Sequence, residues 1–205
     1  LRRAAKNGGA VLIEATCNQV NHEGGYTGMT PQDFADLVFG LAAQEGCPPE
    51  LVILGGDHLG PNPWRDLPEA EAMAEAEKMV AAYVAAGFRK IHLDASMGTQ
   101  GEAEALDDET TALRAARLAG VAERTARAEG GFMPLYVIGP EVPPPGGADH
   151  ALGAITPTSA EAARRTLDIH RRTFADAGLT GALSRVIAVV VQPGVEFGNQ
   201  NVVTY

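Results

Sequence analysis

Cysteine is scarce in this chain: two residues in 205, Cys17 and Cys47. That excludes a scaffold built on disulfides and points to a reducing, cytoplasmic setting. Positive charge is also short. There are 16 Lys and Arg against 26 Asp and Glu, a formal net charge of −10, and no basic block. A broad face for nucleic acid or an anionic membrane is therefore not expected, although a local site for a phosphorylated metabolite needs only a few donors. Apolar runs are no longer than a strand, so no segment reads as a membrane span, and the start does not read as a signal peptide. What remains is a composition 45% hydrophobic and 20% charged, ordinary for a globular protein and enough for one domain with a sizeable core.

Five short apolar runs punctuate the chain: VLIEAT (11–16), LVILGG (51–56), KIHLDAS (90–96), LYVIGPEV (135–142) and VIAVVVQPGVEF (186–197). Helical patterns lie between them. In TPQDFADLVFGLAAQEG, Thr30 reads as N-cap, Pro31 as the first helical residue, Phe34, Leu37, Val38 and Leu41 as the apolar stripe, and Gly46 as the end. PEAEAMAEAEKMVAAYVAAG carries acids early, an inner face of Met73, Val80 and Val84, and Gly87 at its end. DDETTALRAARLAGVAERTARAEGG and TSAEAARRTLDIHRRTFADAG repeat the plan, with His170 among arginines expected to face solvent. Apolar strands alternating with helices mean a parallel sheet covered on both faces. An open doubly wound sheet and a (β/α)₈ TIM barrel both fit. No glycine fingerprint follows the first run, and nearly every strand end carries polar residues, which favours the barrel. At about 40 residues per unit, the chain is expected to cover about five βα units, residues 1–205 forming a single barrel domain that is a fragment of a longer one.

The polar residues cluster at the strand ends. Side chains two apart in a strand share a side, so His92, Asp94 and Ser96 are expected in one row and Glu14, Thr16 and Asn18 in another. ILGGDHLGPN ends an apolar run on Asp57 and His58, in a backbone eased by Gly55, Gly56 and Gly60. Glu141 and Gln192 close the fourth and fifth patterns. Asp57 also fits a simple turn cap, and His58 and His92 fit hydrogen-bonded core histidines. Taken together, His58, His92 and Glu14 are expected to hold a divalent metal, Zn²⁺ by donor type, with Asp57, Asp94 and Glu141 as acid/base residues. Asn18, Gly56, Ser96 and Gln192 are expected to bind substrate. Such a metal would polarise a sugar carbonyl and stabilise an enediolate.

The strings IEATCNQVNHEGGYTGMTPQDF, ILGGDHLGPNPW, KIHLDASM, YVIGPEVPPPGG and VVVQPGVEFGNQNVVTY resemble the Z-type, non-catalytic subunit family of class II D-tagatose-bisphosphate aldolase. Its members have also been labelled tagatose 6-phosphate kinases. The resemblance implies a TIM barrel whose first strand precedes Leu1 and whose last two follow Tyr205. It also implies an accessory role beside a catalytic aldolase subunit in galactitol, N-acetylgalactosamine or tagatose catabolism, hence an oligomer acting on a sugar or sugar phosphate. Some relatives epimerise ketoses themselves, so the alternative is a metal-dependent epimerase or aldolase in its own right. Asp57 and His58 match the Asp-His pair of the catalytic class II aldolases. A later zinc histidine of those enzymes has no counterpart, because Val189, Val190 and Val191 stand in its place. No GxxxxGK[ST] loop occurs, so the kinase label has no support in the chain.

Overall fold

The computed structural model describes residues 1–139, 157–197 and 202–204, with the backbone alone from 195 onward. A short helix, α1 (Arg2–Asn7), leads into five strands, β1 (Val11–Thr16), β2 (Val52–Leu59), β3 (Lys90–Leu93), β4 (Leu135–Ile138) and β5 (Val186–Val189). Between them run α2 (Pro31–Gln44), α3 (Glu69–Ala85), α4 (Asp108–Ala128), α5 (Ala160–Asp176) and the single turn α6 (Thr180–Leu183). The strands pair in parallel in the order β1-β2-β3-β4-β5. A doubly wound sheet requires that order to reverse at a switch point; here it runs straight through. The fifth apolar run is not one strand. It breaks at Pro193 and Gly194 (φ 94°), and Val195–Phe197 becomes β6, pairing antiparallel with β7 (Val202–Thr204).

The helices start where the sequence says they should. Thr30 accepts a bond from the Asp33 amide, and the Asp33 carboxylate accepts from the Thr30 amide, a reciprocal capping box with Pro31 as the first helical residue. Asp107 and Ser159 cap α4 and α5 in one direction only, accepting from the Thr110 and Ala162 amides. On α3, Met73, Val80 and Val84 are buried as the periodicity requires.

Two expectations fail. On α2 the buried stripe is Pro31, Ala35, Val38 and Ala42, while Leu37 and Leu41 are exposed. The small alanines let this helix lie close on the sheet, and the contact face turns away from the larger side chains. His170, expected in solvent, is 1% exposed. It shares a stripe with buried Thr173 and Phe174 on the face of α5 that packs on α4, and its flanking arginines point out instead. Burial holds its imidazole below the ordinary histidine range, with Nδ1 bonding the Thr166 carbonyl at 2.8 Å.

The sheet separates two environments. Leu54, Ile91, Leu93, Tyr136 and the β1 residue Ala15 pack under the helices. The alternate residues, Leu12, Glu14 and Thr16 on β1 with Ile53, Gly55 and Asp57 opposite them, face the other side. Register carries that side on to Lys90 and His92. Cys17 and Cys47 are buried and form no disulfide. Among the described residues no helix is long and apolar enough to cross a membrane.

Candidate functional site

The site forms where β2 departs from regularity. In a regular strand Asp57 and His58 would point to opposite faces. Here the β2–β3 register shifts between Gly56 and Leu59, and His58 takes φ 51°, alone among described non-glycine residues in the left-handed region. That conformation costs about 1–2 kcal/mol for an L-residue. It swings the imidazole round so that His58 Nδ1 lies 3.1 Å from Asp57 Oδ2. The ring stands 4.8 Å, centroid to centroid, from that of His92.

His92, 2% exposed, has both nitrogens engaged. The His58 amide lies 3.3 Å from its Nδ1, and the Gly139 carbonyl 3.1 Å from its Nε2. An amide only donates and a carbonyl only accepts, so Nε2 carries the hydrogen and Nδ1 presents a lone pair. Yet Asp57 Oδ1 stands 3.1 Å from the same Nδ1. Two acceptors at that distance call for a positive centre beside them, a proton or a cation. One nitrogen from each histidine and an Asp57 oxygen all lie within 4.8 Å of one another. The set fits a divalent metal: two imidazoles, one carboxylate, and a carbonyl holding His92 in the metal-ready tautomer.

Lys90, which the sequence reading passed over, sits one layer deeper. Its Nζ is 2.5 Å from Glu14 Oε1 and 3.0 Å from Asp57 Oδ1. Gly55 makes room for this bridge, because a Cβ there would lie 2.5 Å from Glu14 Oε1. Glu14, expected as a metal ligand, is thus drawn to the ammonium and does not belong to the Asp57–His58–His92 cluster. Burial pushes the Asp57 carboxyl upward in pKa, but His58, His92 and Lys90 beside it outweigh that and hold the group far below the usual carboxylate range. Asp57 is therefore an anion at any physiological pH.

The other expected residues are distributed differently. β3 ends at Leu93, so Asp94 and Ser96 lie past the strand and period two no longer governs them. Both are buried, and Asp94 Oδ1 accepts from the Ser96 amide at 3.1 Å and its hydroxyl at 2.7 Å. Asn18 lies in the exposed turn after β1. Gly56 faces the helices, where a Cβ would meet Leu59 and Tyr83 within 2.8 Å. Its glycine is explained by packing, and Gly55 is the one that opens the site. Gln192 Oε1 accepts from the Gly194 amide at 2.7 Å and shapes the QPG bend. Glu141 lies outside the described residues.

The comparisons with known proteins agree on one lineage. The chain is 63% identical over 205 residues to the D-tagatose 6-phosphate 4-epimerase of Agrobacterium fabrum, covering all of this chain and 48% of that protein. The crystal structure of a protein described as a probable tagatose 6 phosphate kinase from Sinorhizobium meliloti 1021 superposes with a TM-score of 0.85 at 54% identity. That match covers 99% of this chain and 48% of the other. The chain thus spans about half the length of the relatives it matches. The model of the GatZ/KbaZ-like D-tagatose-1,6-bisphosphate aldolase subunits matches residues 1–205, and the chain belongs to that family.

Proposed function

We propose that this chain supplies the reactive wall of a ketohexose-phosphate 4-epimerase that works by reversible aldol cleavage. The observation that carries the reading is the convergence of His58, His92 and Asp57, reached only by a strained backbone at His58. An idle scaffold gains nothing from such strain, and strain of this kind gathers at functional sites. The curated relative is an epimerase by name.

The chemistry of position 4 selects the route. In a 2-ketose the hydrogen on C4 is not adjacent to the carbonyl, so a base does not remove it readily. Taking the proton from the C4 hydroxyl instead lets the C3–C4 bond break, its electron pair passing to the C2 carbonyl as an enediolate. C4 becomes a planar aldehyde. Rotation and bond formation from the opposite face return the C4 epimer, with atoms and charge balanced. Asp57, His58 and His92 would hold a divalent metal, which when bound polarises the C2 carbonyl. Lys90 fixes the orientation of Asp57. Asp94 and Glu141 are the proposed proton carriers to and from the C4 oxygen, since Asp57 would be taken up by the metal and Lys90.

The five strands would form one wall of a closed (β/α)₈ barrel in the longer protein. Leu12 and Leu135 support this, as they expose 45% and 40% of their surface on the side of the sheet that carries the site. Closure would bury them. A second reading, an accessory aldolase subunit, is favoured by the family's description. The test is turnover of D-tagatose 6-phosphate by the purified full-length protein alone. Formation of the C4 epimer, falling at least 100-fold in His92→Ala, is expected on the order of the loss of a group acting at the reacting centre. No epimer from the protein alone, with activity gained by an added aldolase, would establish the accessory role instead.

A further inference from the structure

We propose that His22, Glu23 and Glu75 form a second cation site, for a first-row divalent transition metal, on the rim formed by the loop after β1 and the first turns of α3. One ligand atom from each lies within 4.8 Å of the other two. The three residues come from two separate segments, so the fold brings them together and sequence proximity alone does not.

The outer contacts orient the two carboxylates as outer contacts orient metal ligands. His22 Nε2 and Glu75 Oε2 are 2.9 Å apart. Glu75 Oε1 is taken by Lys78 Nζ at 2.7 Å, leaving Oε2 turned toward the imidazole. Glu23 Oε2 accepts from Trp64 Nε1 at 3.0 Å, leaving its other oxygen available. Each carboxylate is thus fixed by a donor on one oxygen and presents the other, the arrangement found around ligating carboxylates. The Glu23 amide and the Gly25 amide both bond Asn21 Oδ1 at 3.0 Å, which sets the loop that carries two of the ligands. His22 Nδ1 is buried without a hydrogen-bond partner, so the Nε2 side is where this imidazole meets polar groups. Two carboxylates face one exposed ammonium, Lys78, so the carboxylates outnumber the fixed positive charge beside them. One imidazole nitrogen and two carboxylate oxygens suit Mn²⁺, Co²⁺, Ni²⁺ or Zn²⁺ better than an all-oxygen preference such as that of Mg²⁺.

Trp64 reports on this site directly. Its ring lies 5.3 Å from that of His22, and it is the one tryptophan of this chain. The experiment titrates metal-stripped protein with Ni²⁺ and with Co²⁺, both indole quenchers, and follows the Trp64 signal as the difference from Trp64→Phe. A saturable quench is expected, its apparent Kd rising at least about 10-fold in His22→Ala and in Glu75→Gln and holding in His92→Ala. Glu75→Gln is nearly isosteric, so it keeps the test valid if His22→Ala loses its fold by circular dichroism. A non-saturating quench of equal slope in all variants would overturn the proposal. So would a saturable quench whose apparent Kd is unchanged in Glu75→Gln, or one lost in His92→Ala alone.

Discussion

Asp57 lies against three nitrogen groups, of Lys90, His58 and His92, and which of them matters can be separated by substitution. Lys90→Met removes the ammonium 3.0 Å away while keeping the length of the side chain. The Asp57 pKa then rises, while His58 and His92, the larger influences, still hold it below the ordinary carboxylate value of about 4. Its folded value is depressed, so the stability it contributes is fully present above the unfolded pKa and is lost as pH falls below it. In Lys90→Met less of that stability is present to lose. At neutral pH Asp57 stays ionised in this variant, so the loss is one of orientation: kcat/KM should fall at least about 10-fold, and Lys90→Arg should restore most of it. An unchanged kcat/KM would show that Lys90 does not position Asp57. Lys90 was legible in the sequence. It stands two residues before His92 in KIHLD, on the same face by strand alternation, and a row begun at Lys90 and ended at His92 names it. Asp57 and His58 were legible as a pair, but the left-handed backbone that turns both inward was not, because no residue type there announces it.

At the scale of elements, two glycines of β2 and its following turn give opposite expectations. A Cβ at Gly55 meets the movable end of Glu14, whereas one at Gly60 would lie 1.6 Å from the Asp94 carbonyl oxygen. Gly55→Ala should fold with nearly unchanged stability but lose turnover as Glu14 and Lys90 are displaced. Gly60→Ala should cost at least about 3 kcal/mol in urea unfolding, as forced backbone movement does. Tyr83, on α3, props the loop after β1 by donating to the Val20 carbonyl at 2.8 Å. Tyr83→Phe should cost about 1–2 kcal/mol, since it leaves that carbonyl buried and unpaired. The loop after β3 is held by Glu102, which accepts from Arg114 at 2.6 Å and from the Thr99 amide and hydroxyl. Burial raises its pKa, but Arg114 and Thr99 outweigh that and pull it down to about 2. Stability from this clasp is full above the unfolded glutamate pKa of about 4.3 and is lost as pH falls toward 2, so Glu102→Gln should flatten the urea midpoint between pH 5 and pH 2.5. No local pattern discloses Glu102 and Arg114, which meet across a loop. Helix starts, by contrast, were readable from Thr30, Asp107 and Ser159, because capping is local chemistry.

In the whole molecule the site sits at one end of the sheet and a charged knot sits toward the other. Glu123 of α4, 1% exposed, accepts from two Arg185 nitrogens at 2.8 Å and from the Tyr136 hydroxyl at 2.7 Å, tying α4 to β4 and to the start of β5. Arg185→Ala leaves Glu123 with the Tyr136 hydroxyl and with Arg127 at 3.2 Å but without its bidentate partner, so it should cost about 1–3 kcal/mol. The exposed Arg2–Glu45 pair should show no measurable change when broken, by thermal unfolding of both variants side by side. Alternation of strands and helices sufficed to read a parallel sheet with its polar residues at the strand ends. It did not separate the fifth run into two strands, since Pro193 and Gly194 act through a bend that apolar patterning ignores.

The claim that this sheet edge makes and breaks a C3–C4 bond is tested most directly by isotope. D-Tagatose 6-phosphate deuterated at C4 is incubated with the full-length protein and a divalent metal, and the C4 epimer is analysed by NMR. Aldol cleavage predicts inversion at C4 with the deuterium retained, because the C4–H bond never breaks. Deuterium washed out into solvent would contradict the account and place a proton abstraction at C4 in its stead.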